Sequence, residues 1–185
     1  IGSGLGGGGF FLLHDAATGR DTMIDARETA PASGVPTAYL DKDGNLDRDR
    51  SVNGPWAAGI PGLPAGLVHL SENYGQLPLA RSLAPAIRIA RDGFPVYGRM
   101  ARGYASRAEV MERYPGTREV FLRNGRPIVE GDLFVQPELA GTLERLAADG
   151  FDGFYKGSTG RLLLAGVKDA GGKWTAADLA GYTVK

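Results

Sequence analysis

The first apolar run of the chain, Phe10 to His14, follows a stretch of glycines and precedes a polar segment. A short apolar run with these boundaries predicts a buried strand. Asp15 to Asp21 combines Asp, Thr and Gly, which favour tight turns, and Thr22 to Arg27 has the composition of a second strand. Pro31 ends regular pairing because proline has no N–H to donate to a ladder. The pattern therefore predicts a β-hairpin early in the chain.

Helical periodicity dominates from Pro64 onward. One helix begins at Pro64, where Leu67 and Leu70 share a face, and Gly75 stops it. A second helix is predicted from Pro78 to Gly93, with Leu79, Leu83, Ile87 and Ala90 on one face. A third begins at Pro137, with Leu139, Leu143 and Leu146 facing inward and Gly150 as its cap. Two further helices are predicted at Tyr97 to Tyr114 and Arg161 to Ala170. Thr175 to Asp178 has the spacing of a capping box and predicts a final short helix.

These elements predict an α+β chain in which a β-hairpin is followed by a mainly helical body. Residues 1–40 contain the glycine loop and the hairpin, residues 41–63 an irregular connection, and residues 64–185 the helical part. Two further short strands are predicted, at Thr37 to Leu40 and in the last residues, Gly181 to Lys185. The chain begins at Ile1 and ends within one of these strands, so we expect it to be a piece of a larger protein.

Composition removes several functional classes. The 185 residues are 43% hydrophobic and 23% charged, which suits one soluble domain with its own core. Lys plus Arg equals Asp plus Glu at 21 each, so no basic field favours nucleic acid. The chain has no cysteine for a disulfide, a thiolate nucleophile or a cysteine zinc site. No apolar run reaches the length of a membrane span.

The glycine-rich start invites a nucleotide interpretation. Gly2 to Gly7 matches GxGxxG, and Asp25 follows at a distance suited to a ribose contact. A dinucleotide fold, however, needs a strand before this loop and a full helix after it, and the segment from Phe10 to His14 is too short for that helix. No Gly-Lys-Ser/Thr follows, which excludes a P-loop. The remaining interpretation is that glycine lets the backbone approach a neighbour closely.

Metal and nucleophile motifs are weak. Asp41 to Asp47 resembles a calcium loop, but Gly44 is the fourth residue and Val52 the twelfth, where an EF-hand needs Gly at the sixth and Glu at the twelfth. A solvated turn without calcium is therefore predicted. His14 and His69 have no metal-pair spacing, and no Gly-x-Ser-x-Gly elbow occurs. We predict neither a metal nor a cofactor.

Arg27 lies in IDARETAP, Ile24 to Pro31, where a strand breaks up. One interpretation is a salt bridge with Asp25 or Glu28 on a surface loop. The other is an anchor for a substrate carboxylate, which a guanidinium holds in bidentate geometry. Spacing alone does not choose between them.

A series of segments resembles one family. In order they are SGLGGGGFFLL, IDARETAP, GIPGLPAGL, LARSLAPAIRIARDGFPV, QPELAGTLERLAADG, FYKG and GGKWTAADLAGY. Together they resemble the large subunit of the γ-glutamyltranspeptidases over essentially the whole chain. The resemblance implies a fragment of an N-terminal-nucleophile hydrolase, whose complete fold is an α-β-β-α sandwich made from a self-cleaving precursor.

Further expectations come from this resemblance. The family transfers the γ-glutamyl group of glutathione and related amides to water, amino acids or peptides, using the N-terminal Thr of the small subunit as nucleophile. The Arg of the motif that matches IDARETAP, here Arg27, would bind the α-carboxylate of the glutamyl group. This chain lacks the small subunit, so no catalytic residue is expected in it and the fragment alone should be inactive. The expected partner is the small subunit of the same precursor, and the expected location is periplasmic or secreted.

Two other functions are alternatives to a γ-glutamyltranspeptidase. Related β-lactam side-chain acylases differ mainly in their acyl pocket, and Arg27 argues for an acyl group with a free carboxylate. In a different class, the chain could be a non-catalytic helical interaction module. The isolated fragment should self-associate through the edges of the hairpin Phe10 to Arg27 and an apolar face of its helices.

Overall fold

The computed structural model describes residues 4–185. Gly2 and Ser3, which begin the GxGxxG match and the glycine-rich stretch, lie outside the described residues. The chain divides into two compact units. The first comprises the residues up to Ser82 together with Arg145–Lys185, and the second comprises Leu83–Glu144.

The described elements are short strands and helices. The strands are β1 Gly9–Asp15, β2 Arg20–Ala26, β3 Phe94–Pro95, β4 Leu122–Arg123, β5 Arg126–Pro127 and β6 Leu133–Phe134. The helices are α1 Arg48–Val52, α2 Leu63–Asn73, α3 Leu79–Asp92, α4 Gly98–Ala105, α5 Ala108–Arg113, α6 Pro115–Phe121, α7 Pro137–Tyr155, α8 Gly157–Asp169 and α9 Ala176–Ala180. A 3₁₀ helix occupies Pro36–Tyr39.

The predicted hairpin is confirmed. Strands β1 and β2 pair antiparallel, with Gly9 opposite Ala26 and Asp15 opposite Arg20. The prediction that β1 is buried is wrong, because Leu12 is 83% exposed and no residue of β1 is fully buried. Only one face of this two-stranded sheet is covered, so burial alternates along each strand.

Helix α2 covers the inner face of the hairpin. A Cβ added to Gly66 would lie 2.6 Å from Ala26 Cβ and 2.8 Å from Phe11 Cε2, so a side chain there would hold the helix away from the sheet. The buried side chains of the first unit include Ile24, Ala26, Ile60, Ala65, Val68, Leu146, Phe154, Tyr155, Leu179 and Tyr182. This core anchors the end of β2, where the candidate site begins.

Between the hairpin and α2 the chain makes tight local structures. The predicted strand at Thr37 to Leu40 is wrong, because Pro36–Tyr39 forms a 3₁₀ helix with proline in its first turn. Proline favours a helix start and supplies no N–H to a ladder. Leu40 still makes an isolated antiparallel bridge to Leu46, which closes the turn between them.

The second unit has its own small core of Val96, Ile128 and Phe134. The rings of Phe94, Tyr104 and Phe121 pack against the Phe134 ring, and Tyr104 also packs against Phe121, with ring-centroid distances of 5.1 to 6.1 Å. The two-residue pairs β3–β6 and β4–β5 connect its short helices. Sequence periodicity detected none of these strand pairs, because two residues are too few to show an alternation.

The helix predictions are mostly confirmed. In α3 the predicted face is the covered one, with Leu83 and Ala90 buried and Gly93 ending the helix at φ 83°. The predicted helix from Tyr97 to Tyr114 is two helices, α4 and α5, because Arg107 leaves helical geometry at φ −118°. The helix from Pro137 ends at Gly150 as predicted, where φ is 55° and ψ −131°, and a second helical segment follows it directly to Tyr155 within α7.

The last residues of the chain lie beside strand β2 without forming a strand of their own. Residues 181–185 form no assigned strand, contrary to the prediction, although Lys185 and Asp25 exchange two backbone hydrogen bonds of 2.7 and 2.9 Å. Within residues 4–185, every helix is too short or too polar to cross a bilayer.

Candidate functional site

Arg27 is the first residue beyond strand β2. Ile24 and Ala26 point into the core and fix the strand end, whereas Arg27 faces outward. Its backbone N–H donates to Asp25 Oδ1 at 2.8 Å, and its carbonyl accepts a hydrogen bond of 2.8 Å from the Tyr182 hydroxyl. Side chains therefore hydrogen-bond the N–H and C=O groups of Arg27, which have no partner in the strand ladder.

The Arg27 side chain is 58% exposed and is held on one side only. Its Nε donates to Glu28 Oε2 at 2.9 Å, and its Cζ lies 5.8 Å from the centre of the Phe10 ring. Among residues 4–185 the two terminal nitrogens make no hydrogen bond. A planar guanidinium in this state can give two parallel hydrogen bonds to an incoming carboxylate.

Glu28 is the acidic partner that orients this guanidinium. A hydrogen bond from its own backbone N–H, with further ones from Arg27 and from Gly8 N–H, lowers the pKa of Glu28 despite partial burial. The carboxylate is therefore ionised at neutral pH and ready to accept from Nε. The predicted salt bridge is present and its partner is Glu28, while Asp25 serves the backbone instead.

Gly8 explains why glycine precedes the hairpin. A Cβ at this position would lie 2.5 Å from Ala26 O and 2.8 Å from both Arg27 Cα and Glu28 N. Added Cβ atoms at Gly6 and Gly9 would meet nothing within 4 Å. Close backbone approach is thus required at Gly8, next to the Arg27 segment, and not along the whole glycine run.

Tyr182 lies on the other side of this segment, and its ring is stacked on that of Tyr155. The rings of Tyr155 and Tyr182 lie 5.7 Å apart at an angle of 8°. Tyr155 donates its hydroxyl to Pro61 O at 2.7 Å, and burial raises the pKa of this phenol. Ile60, next to Pro61, forms an antiparallel bridge with Thr29, so the loop at 59–62 lies against the chain just after Arg27.

Sequence reasoning identified neither Tyr182 as part of this site nor Tyr155 as the ring stacked on it. They lie inside the quoted segments FYKG and GGKWTAADLAGY, but no spacing rule connects them to Arg27. Tyr182 is 155 residues from Arg27 in the sequence. Only the folded chain brings them together.

The histidines remain apart and serve local contacts. His14 Nδ1 lies 2.8 Å from Asp21 Oδ1 across the hairpin, and His69 accepts a backbone hydrogen bond from the Asn73 side chain. Over the described part of the chain, no cluster of three His, Asp or Glu side chains is arranged to hold a metal ion. The Asp41 carboxylate accepts from the N–H groups of Asp43 and Asn45, both at 2.9 Å, and closes a turn.

Comparison with known proteins matches the whole chain. The sequence matches the gamma-glutamyltranspeptidase family over residues 1–185. It is 39% identical over 181 residues to the glutathione hydrolase proenzyme of Escherichia coli (strain K12), covering 96% of this chain and 31% of that protein. The chain thus spans about a third of the length of this curated relative.

Solved structures agree with the sequence match. The Helicobacter pylori gamma-glutamyltranspeptidase superposes with a TM-score of 0.94 at 37% identity, over 98% of this chain and 52% of that one. A cephalosporin acylase from Bacillus halodurans superposes with a TM-score of 0.87 at 28% identity, over 98% of this chain and 34% of that one. The expected α+β fragment of an N-terminal-nucleophile hydrolase is confirmed.

Proposed function

Since this chain belongs to the gamma-glutamyltranspeptidase family, we propose that it is part of the large subunit of a γ-glutamyltransferase and glutathione hydrolase. The enzyme transfers the γ-glutamyl group of glutathione and related amides to water, amino acids or peptides. Its nucleophile is the N-terminal Thr of the small subunit made from the same precursor. These 185 residues contribute a substrate contact and no catalytic residue.

The observation that carries this proposal is the geometry of Arg27. Glu28 engages Nε and leaves the two terminal nitrogens to the substrate. The α-carboxylate of a γ-glutamyl group fits this fork, because two parallel N–H donors match its two oxygens. Binding there fixes one end of the substrate, and the γ-carbonyl is then presented to the nucleophile at a set distance.

The complete precursor and the 185-residue chain provide the direct test. We expect the complete precursor to cleave itself and to hydrolyse a chromogenic γ-glutamyl anilide. The chain alone should not exceed the buffer rate, because it has no nucleophile. Turnover by a clean preparation of the chain alone would contradict the assignment of the nucleophile to the small subunit.

A β-lactam side-chain acylase is the second candidate, and the likeness to the Bacillus halodurans cephalosporin acylase favours it. A panel of acyl groups separates the two. A γ-glutamyltransferase should prefer an acyl chain that carries an α-carboxylate near Arg27, whereas an acylase should accept chains without one. A precursor that neither cleaves itself nor acts on any acyl donor would instead support a non-catalytic interaction module.

We also propose that the outer face of the hairpin is covered in the complete protein. The large apolar residues of this outer face are Phe10, Leu12 and Met23, which are 56%, 83% and 60% exposed. An exposed apolar surface of this kind tends to bind another protein surface. The small subunit should therefore cover it, and the isolated chain should self-associate. Light scattering tests this: Leu12→Thr should reduce association more than Leu162→Thr on α8, which is 67% exposed. A concentrated unaltered chain that stays monomeric would refute it.

A periplasmic or secreted location belongs to the same proposal. Fractionation of cells that produce the complete precursor tests it, with the processed subunits expected outside the cytoplasm. Processed subunits found only in the cytoplasm would contradict it.

A further inference from the structure

Tyr182 holds the Arg27 peptide from the far end of the chain. Helix α9 is closed at its start by the reciprocal hydrogen bonds of Thr175 and Asp178, and Tyr182 follows two residues after its end. The Tyr182 ring is buried and stacked on Tyr155. Its hydroxyl donates to Arg27 O at 2.8 Å.

The Arg27 peptide depends on this bond because it lies in a gap of the backbone pairing. The β1–β2 ladder ends at the pair Gly9–Ala26, and pairing resumes only at Thr29 opposite Ile60. Between these points the Arg27 N–H is held by Asp25 and the Arg27 carbonyl by Tyr182. A peptide outside a ladder can rotate when such a partner is removed.

The residues around Tyr182 leave space for its hydroxyl as well as for its ring. A Cβ on Gly62 would collide with both the Tyr182 hydroxyl and Ala26 O, so glycine leaves the space that the hydroxyl occupies. Burial, together with the charges of Asp25 and Glu28, raises the pKa of Tyr182. The phenol therefore remains protonated at neutral pH and acts as a donor.

We infer that Tyr182 is a positioning residue for substrate recognition: its hydroxyl bond to the Arg27 carbonyl sets the direction in which the Arg27 guanidinium meets the substrate α-carboxylate. This inference rests on the proposed function of Arg27. Loss of the hydroxyl should weaken the grip on the carboxylate while leaving the nucleophile and self-cleavage untouched. The defect should therefore appear in KM and in carboxylate selectivity, not in kcat.

The test uses the complete, processed protein and two anilide substrates. One carries the γ-glutamyl group, and the other carries the 4-aminobutanoyl group, which is the same acyl chain without the α-carboxylate. The selectivity is the ratio of their kcat/KM values. Tyr182→Phe keeps the stacked ring and removes only the hydroxyl, and we expect it to lower this ratio about three- to tenfold by raising KM for the γ-glutamyl substrate.

Tyr155→Phe is the matched control. It also keeps a ring of the stack and removes a buried hydroxyl, but that hydroxyl bonds to Pro61 and not to Arg27. Packing damage alone should change both substrates equally, so the ratio should be unaltered in this variant. If Tyr155→Phe lowered the ratio as much as Tyr182→Phe, the hydroxyl–Arg27 bond would not be the cause and the inference would be overturned.

The failures of the two proposals are distinguishable. An unchanged ratio in Tyr182→Phe, with a collapsed ratio in Arg27→Ala, would overturn the role of Tyr182 and leave the proposed role of Arg27 intact. An unchanged ratio in Arg27→Ala would overturn both.

Discussion

The Arg27 segment, Ile24 to Thr29, and the Asp41 turn, Asp41 to Asn45, are both charged loops with a functional interpretation from sequence. The Asp41 turn is held by itself: the Asp41 carboxylate accepts two backbone N–H groups, and Asp41 N–H donates to Asn45 O at 2.8 Å. The Arg27 segment is held by Gly8, Gly62 and Tyr182, which are distant in sequence.

The difference concerns what remains available to a ligand. The Asp41 carboxylate already has backbone donors, which are the groups that close an Asx turn. At Arg27 the distant Tyr182 holds the backbone carbonyl and the adjacent Glu28 engages one nitrogen, so the two terminal nitrogens can bind a partner. The contacts of Arg27 thus leave two of its donors available, whereas the hydrogen bonds of the Asp41 turn are made by the carboxylate itself.

The largest expected effect comes from Arg27 itself. Removing one partner of a charge-assisted hydrogen-bonded pair costs roughly 1.5–3 kcal/mol, and up to about 5 kcal/mol where the complete enzyme desolvates the pair. At 1.4 kcal/mol per decade, Arg27→Ala in the complete enzyme should lower kcat/KM for γ-glutamyl substrates about tenfold to a few thousandfold. Arg27→Lys should restore only part of it, because an ammonium lacks the planar fork. Steady-state kinetics on the purified variants measures this.

Self-cleavage should survive both Arg27 substitutions, since that step needs no glutamyl carboxylate. Arg20→Ala, on the same strand and exposed, is the control and should keep normal kinetics. An Arg27→Ala enzyme that matures and works at full efficiency would reduce Arg27 to a surface salt bridge with Glu28.

The next largest effect should come from Gly8, through stability. The methyl group of Gly8→Ala would be forced against Ala26 O and the Arg27 backbone, and overpacking of this kind costs roughly 1–3 kcal/mol. Gly6→Ala, in open space, should be neutral or stabilising by up to about 1 kcal/mol. Denaturant unfolding of the complete protein compares the two. Equal stability of both variants would show that the close approach at Gly8 is not required.

The smallest effect should come from Asp41, and it should depend on pH. Hydrogen bonds from the Asn45 and Asp43 N–H groups lower the pKa of Asp41 below its usual 3.8. A lowered pKa means that the carboxylate stabilises the folded chain above about pH 4 and stops doing so as the pH falls through the folded-state value. Asp41→Ala should therefore lower Tm slightly at pH 7, with a difference that vanishes in strong acid.

A Tm difference that grows on acidification would contradict this account of the Asp41 turn. So would stoichiometric calcium binding at micromolar affinity, measured by calorimetry and abolished by Asp41→Ala. Either result would place Asp41 with Arg27, as a group that remains available to a ligand.

Local rules were sufficient for much of the fold. The hairpin, the covered face of α3 and the capping box at Thr175 were all predictable, because each depends on residues within one or two turns of one another. The single helix predicted from Tyr97 to Tyr114 was wrong, because no Gly or Pro at Arg107 marks the break in the sequence. The exposure of β1 was also not predicted, because an apolar run does not show whether one or both faces of the strand are covered.

For the candidate site, the residues alone determined that Arg27 could bind a carboxylate, while its residue type favoured a surface salt bridge. Tertiary structure decided that Glu28 engages one nitrogen, that Gly8 must lack a side chain, and that Tyr182 holds the Arg27 carbonyl. The physical reason is the range of each interaction. Periodicity and capping depend on residues that are close in the sequence. The hydrogen-bond partners of a peptide outside the ladder can be distant in the sequence, and only the packed chain brings them together.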